Sequence, residues 1–151
     1  EVNLVFMRQI YNRFLLFSVF LFNILLTSCG DKEQHPVPNV AVSLIINLDL
    51  PAYQPLNNVG GWAYVNGGSK GIVVYRNFDS FTALDRHSTY DAAADCSIAT
   101  VDSINFFILN DGCSESQYNI MDGTVTKGPA KWGLKSYATN WDGQHGLIIT
   151  N

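Results

Sequence analysis

The sequence predicts an all-β domain from residue 40 onward. Three observations carry this: the apolar runs are short, Gly, Asn and Asp separate them, and no stretch of ten or more residues keeps a helical period. Residues 42–48 (V-S-L-I-I-N-L) form the first predicted strand, and Pro51 with Pro55 keeps the following loop from pairing as a central strand. Gly60-Gly61 leads into a strand at 62–65, and Asn66-Gly67-Gly68-Ser69-Lys70-Gly71 supplies a hairpin turn into a strand at 72–75. Residues 81–84, 97–101, 105–109, 117–120 and 147–150 complete the set, with turn signals at Asp122-Gly123 and Asp142-Gly143. Strand spacing alone leaves a sandwich, a barrel and a stack of small sheets all open.

The chain has 151 residues, 47% hydrophobic and 15% charged, enough for one packed domain. Part of that apolar content lies outside the predicted fold. Arg8 and Arg13 form a short basic region ahead of residues 14–26, which are apolar except for Ser18 and Asn23. Thirteen residues are short for a bilayer span and fit the core of a signal peptide. The core ends in Leu26-Thr27-Ser28-Cys29, which resembles the bacterial lipobox, so that residues 1–28 are removed and Cys29 is acylated. An ordinary signal peptide with a chance cysteine is the other reading. Residues 1–6 precede the first Met, Met7, and are read as upstream sequence or an artefact of gene-start assignment. Residues 29–39, kept extended by Pro36 and Pro38, are expected to form a polar tether, with the β domain at 40–151.

Cleavage before Cys29 removes Arg8, Arg13 and Glu1 and leaves seven Lys and Arg against twelve Asp and Glu. A surface of that sign repels phosphate backbones, and no basic stripe is present, so nucleic acid is not an expected partner. Attachment to a membrane is expected to come from the acyl chains, placing the protein in the bacterial cell envelope, in either the inner or the outer membrane.

Residues 111–137 read D-G-C-S-E-S-Q-Y-N-I-M-D-G-T-V-T-K-G-P-A-K-W-G-L-K-S-Y. This stretch resembles the second cluster-binding box of a Rieske iron–sulfur domain. The segments 56–65, 71–76 and 81–90 precede it in the order that family uses, and Gly128-Pro129-Ala130 with Leu134 and Tyr137 follows at the family's distance. The likeness covers nearly all of 40–151 and is greatest to small Rieske-like lipoproteins of Bacteroides-type bacteria. It implies stacked antiparallel sheets with a pair of loops like those of a cluster tip.

A Rieske [2Fe–2S] centre takes two thiolates and two imidazoles, supplied as C-x-H and C-x-C-H. Aligned without gaps from Tyr118, the family's ligand positions fall on Ser88 and Tyr90 in the first box and on Asp111 and Ser114 in the second. None is Cys or His. An alignment with a two-residue gap makes Cys113 a ligand and puts Ser116 at the histidine position, which still leaves three ligands missing. The resemblance further implies that Cys96 and Cys113 occupy the positions of the non-ligand disulfide. Two cysteines remaining after lipidation, in an oxidising compartment, agree with such pairing. Closing about 17 residues is worth about 3 kcal/mol in the chain-entropy model, and two buried free thiols are the alternative.

Other chemistry is weakly signalled. His35 lies in the expected tether, His145 in a late loop, and His87 beside Ser88, where a solvated loop histidine is the ordinary reading. Asp85, Asp91 and Asp95 with His87 and Ser88 contain the residue types of a hydrolytic relay, but neighbourhood in one loop supplies no geometry. Asp102, Asp111, Asp122 and Asp142 are expected to bond their own turns. The aromatics Trp62, Trp132, Trp141, Tyr53, Tyr64, Tyr118 and Tyr137 read as core and sheet-face residues rather than a sugar platform. Lys127, Lys131 and Lys135 read as a solvated loop around Pro129.

The expectation is therefore a lipid-anchored protein without enzymatic activity or cofactor, serving a binding or accessory role toward an unidentified envelope protein. Its expected contact surface is the loop pair 88–95 and 111–117. The alternative is one-electron transfer through a [2Fe–2S] cluster.

Overall fold

The computed structural model describes residues 34–151, together with Met7, Arg8, Tyr11 and Arg13, which are helical and exposed. The signal-peptide core, Cys29 and most of the expected tether lie outside the described residues. Among those described, no helix is long and apolar enough to cross a membrane.

The unit His35–Asn151 is built from antiparallel strands. They are β1 (Ser43–Asn47), β2 (Trp62–Val65), β3 (Ile72–Arg76), β4 (Phe81–Asp85), β5 (Ala99–Val101), β6 (Ile108–Asp111), β7 (Gln117–Asn119), β8 (Val125–Lys127), β9 (Ser136–Trp141) and β10 (Gly146–Thr150). The loop containing Pro51 and Pro55 winds into a 3-10 helix, Pro51–Asn57, started by the proline-fixed φ. Six strands form one curled sheet in the order β1-β10-β9-β4-β3-β2, and β5-β6-β7-β8 form a second. β9 holds the larger sheet together: Ser136 and Tyr137 pair with β4, and residues 138–141 pair with β10.

β3 explains the layering. Side chains alternate across a strand, and all four of Ile72, Val73, Val74 and Tyr75 are buried, so both faces of β3 are covered. Ile72 and Val74 join Ile46, Leu56, Leu147 and Ile149 in one core. Val73 and Tyr75 face the other, with Leu84, Leu109, Tyr118, Ile120 and Leu134. The smaller sheet thus packs on the outer face of the β3–β4 hairpin.

Several elements differ from expectation. β6 begins three residues later than the predicted strand because Asp102 Oδ1 accepts the Ile104 and Asn105 amides, both at 2.8 Å, and Asn105 Oδ1 accepts that of Phe107. Those amides are thereby withdrawn from a ladder. β8 and β9 carry no predicted strand: β8 has three residues, and β9 alternates with polar residues on a half-exposed face. Lys127, expected in a loop, therefore lies in β8, where its ammonium meets Glu115 at 2.9 Å on the surface. The packed unit also starts before residue 40. His35 Nε2 reaches the Gly133 carbonyl at 3.1 Å, its ring stands edge-on to Trp132, and Val37 is buried.

Candidate functional site

The two loops singled out by the sequence converge. Cys96 and Cys113 form a disulfide with Cα atoms 5.1 Å apart, and the Gly112 amide donates to the Ile98 carbonyl at 3.1 Å. Gly112 is required at this crossing, since a Cβ there would approach the Cys96 carbonyl oxygen to 2.5 Å.

Each loop is closed by its own polar side chains. Ser88 is fully buried, and its Oγ lies 2.8 Å from the Tyr118 hydroxyl, which also takes the Thr89 amide at 3.2 Å. Ser97 Oγ donates to the Ser88 carbonyl at 3.0 Å. Tyr90, by contrast, is exposed. Across the disulfide, Asp111 is buried at the end of β6 and accepts the Cys113 amide at 3.1 Å and the Ser114 hydroxyl at 2.5 Å. Ser114 Oγ in turn accepts the Ser116 amide, and Ser116 Oγ accepts the amide of buried Ala130, at 2.9 Å. Ala130 carries the Gly128-Pro129-Ala130 segment onto this loop. Among the described residues, no hydrogen bond joins Ser88 or Tyr90 to Asp111 or Ser114.

His87 is buried, not solvated, which corrects the sequence reading. Its Nε2 donates to the Ala92 carbonyl, an acceptor only, at 2.6 Å, and its Nδ1 lies 2.8 Å from the Ser69 hydroxyl. Both ring nitrogens are engaged, and the backbone of His87 is held by a β-bridge to Ile98. The imagined relay does not assemble: Asp85 binds no imidazole nitrogen.

Asp85 has a role that no sequence pattern assigned to it. Fully buried at the end of β4, it accepts the amides of Ser69 (2.7 Å), Lys70 (3.2 Å) and His87 (2.8 Å) and the Tyr137 hydroxyl (2.7 Å). Burial, reinforced by the Asp85 carboxylate, pushes the Tyr137 phenol well above its ordinary range. The turn that delivers these amides needs Gly68, at φ 63°, where a Cβ would fall 2.5 Å from Asp85 Oδ2. The available signal was an acid closing an apolar strand, F-T-A-L-D, behind a glycine-rich turn.

The donors at these positions do not fit a [2Fe–2S] centre. Ser88, Tyr90, Asp111 and Ser114 offer hydroxyls and one carboxylate, whereas thiolate and imidazole hold such clusters. The two described cysteines are bonded to each other. Among the described residues, no three His, Cys, Asp or Glu side chains gather as a metal site.

The overall fold can be set beside known structures. The plasma-membrane Rieske protein PetC3 of Synechocystis PCC 6803 superposes with a TM-score of 0.51 at 20% identity, over 70% of this chain and 97% of that one. The fold is Rieske-like. The ferredoxin of carbazole 1,9a-dioxygenase from Nocardioides aromaticivorans IC177 also matches, at 16% identity and a TM-score of 0.46, over 75% of this chain and 100% of that one. No protein-family model matches the chain, and no curated protein does. The Rieske-like fold thus stands on architecture and on the paired loops rather than on overall sequence similarity.

Proposed function

We propose that this is a lipid-anchored protein of the bacterial cell envelope whose Rieske-like domain has lost its cluster ligands and works as a non-catalytic binding or accessory module. One observation supports the reading above others. The Ser88 and Asp111 loops engage their polar groups within their own turns and with Tyr118, and their cysteines in a disulfide, so the tip is closed without a metal. The loops 88–95 and 111–117 are the contact surface toward an envelope partner. Attachment is through acylated Cys29, which the lipobox resemblance supports.

Iron and acid-labile sulfide, measured on anaerobically prepared full-length protein, test the first part. The reading expects a colourless, iron-free preparation without a Rieske EPR signal. Stoichiometric iron and sulfide would overturn it in favour of one-electron transfer. Palmitate labelling and membrane fractionation of wild type against Cys29→Ala test the anchor, which the variant should lose.

A further inference from the structure

The end of the domain opposite the paired loops gathers large apolar side chains in solvent. β3 and β4 pair with Ile72 opposite Asp85 at one end and Arg76 opposite Phe81 at the other, so the turn after β3 lies at the pole away from His87 and Ser88. Phe78 tips that turn at 84% exposure. Five exposed neighbours join it from other segments. Val59 precedes Gly60, whose amide bonds the Arg76 carbonyl at 2.8 Å. Phe107 packs its ring 6.4 Å from Tyr75, and Met121 accepts the Thr82 hydroxyl at its carbonyl. Ile104, 91% exposed, and Phe106 occupy the same loop as Phe107. Phe106 also borders an open, mostly apolar groove with Pro55, Gly61, Trp62 and Tyr64. Apolar side chains displayed together from separate turns mark an interaction surface.

The charges around the patch select its occupant. Asp79 adjoins Phe78, Asp102 caps the Ile104 loop, and Asp122 adjoins Met121. The two cations beside these segments are engaged: Arg76 is stacked over Phe81 and Trp141, 4.5 and 4.1 Å from their ring centres, and Arg86 lies over Tyr64 at 3.8 Å with its Nε donating to the Ala99 carbonyl. A second copy would bring the same acidic rim, and an anionic bilayer would be repelled. We propose that this pole is a second docking surface, separate from the loop pair, for a protein partner presenting an apolar surface bordered by Lys and Arg.

Site-specific photo-crosslinking in intact cells of the native host, with the full chain, tests the proposal. A photoreactive phenylalanine analogue at position 78 or 106 should give one discrete adduct with another protein, and the same probe at Ile45, 82% exposed on edge strand β1, should not. The adduct partner, identified by mass and purified, should bind the wild-type protein. Phe78→Ser with Ile104→Ser should weaken binding about tenfold, and Asp79→Asn with Asp122→Asn, or high salt, about fivefold. Both pairs are surface changes, and an unchanged melting temperature verifies the fold. The proposal is overturned by no adduct, by an adduct of two identical chains, by a lipid adduct, by equal labelling from Ile45, or by binding indifferent to the acidic pair and to salt. Fractionation of Cys29→Ala decides the anchor separately.

Discussion

The hydroxyl of Tyr118 on β7 lies 2.8 Å from Ser88 Oγ and accepts the Thr89 amide, so one buried phenol in the smaller sheet fixes the loop that leaves the larger sheet. Tyr118→Phe keeps the ring and deletes the tie. The orphaned Thr89 amide and Ser88 hydroxyl are then expected to lower stability by about 1–3 kcal/mol. Urea unfolding of the two proteins measures it, and identical midpoints would contradict the assignment.

Asp85 is expected to be more sensitive. Asp85→Ala strands three amides and the Tyr137 hydroxyl in the interior and should cost about 3 kcal/mol or more. Gly68→Ala attacks the same arrangement from the backbone side and should also destabilise. Thermal melts of both variants are the check, and a Gly68→Ala protein as stable as wild type would show that the turn does not need its left-handed residue.

Removing the disulfide frees the paired loops in the unfolded chain. Cys96→Ser with Cys113→Ser is expected to cost about 3 kcal/mol, read as a shift in the urea midpoint between oxidised wild type and the double variant. A shift near zero would show that the hydrogen bonds alone hold the loops.

Two opposite pH limits follow from the carboxylates and from Tyr137. The Asp102 carboxyl is held below its ordinary value chiefly by the Asn105 amide and then that of Ile104, and Asp142 likewise by the amides of Gln144 and Gly146. Their stabilisation is complete above the unfolded-state value near 3.8 and is lost as pH falls through the lower folded value. Asp102→Asn should therefore flatten the acid limb of the stability curve. Tyr137 runs the other way. Its folded phenol keeps its proton after the unfolded one, near 10, has released it, so stability should fall as pH rises beyond 10. An ultraviolet tyrosine titration in which the signal lost in Tyr137→Phe is the part that appears only on unfolding is the expected result.

The strands with unbroken apolar patterns were legible in the sequence: β2 matches at both ends, and β3 and β4 run one residue beyond prediction. β9 was not, because Ala138 and Asn140 face outward and the strand earns its place through Tyr137 and its two neighbours rather than through its own composition. The disulfide was legible because the resemblance placed both cysteines. His87 was misread since burial of a polar ring depends on partners, here Ser69 and Ala92, that lie on loops whose approach no local pattern encodes. Asp85 was overlooked for the same reason: its four donors come from three separated segments.

The strand Ile72–Arg76 has no outer side along Ile72–Tyr75. A polar replacement at any of these four positions has nowhere to turn, and an enlarged one presses on whichever of the two interiors it faces. This wall therefore transmits a packing error from either core to the other, and variation tolerated elsewhere in the six-stranded sheet should stop at it.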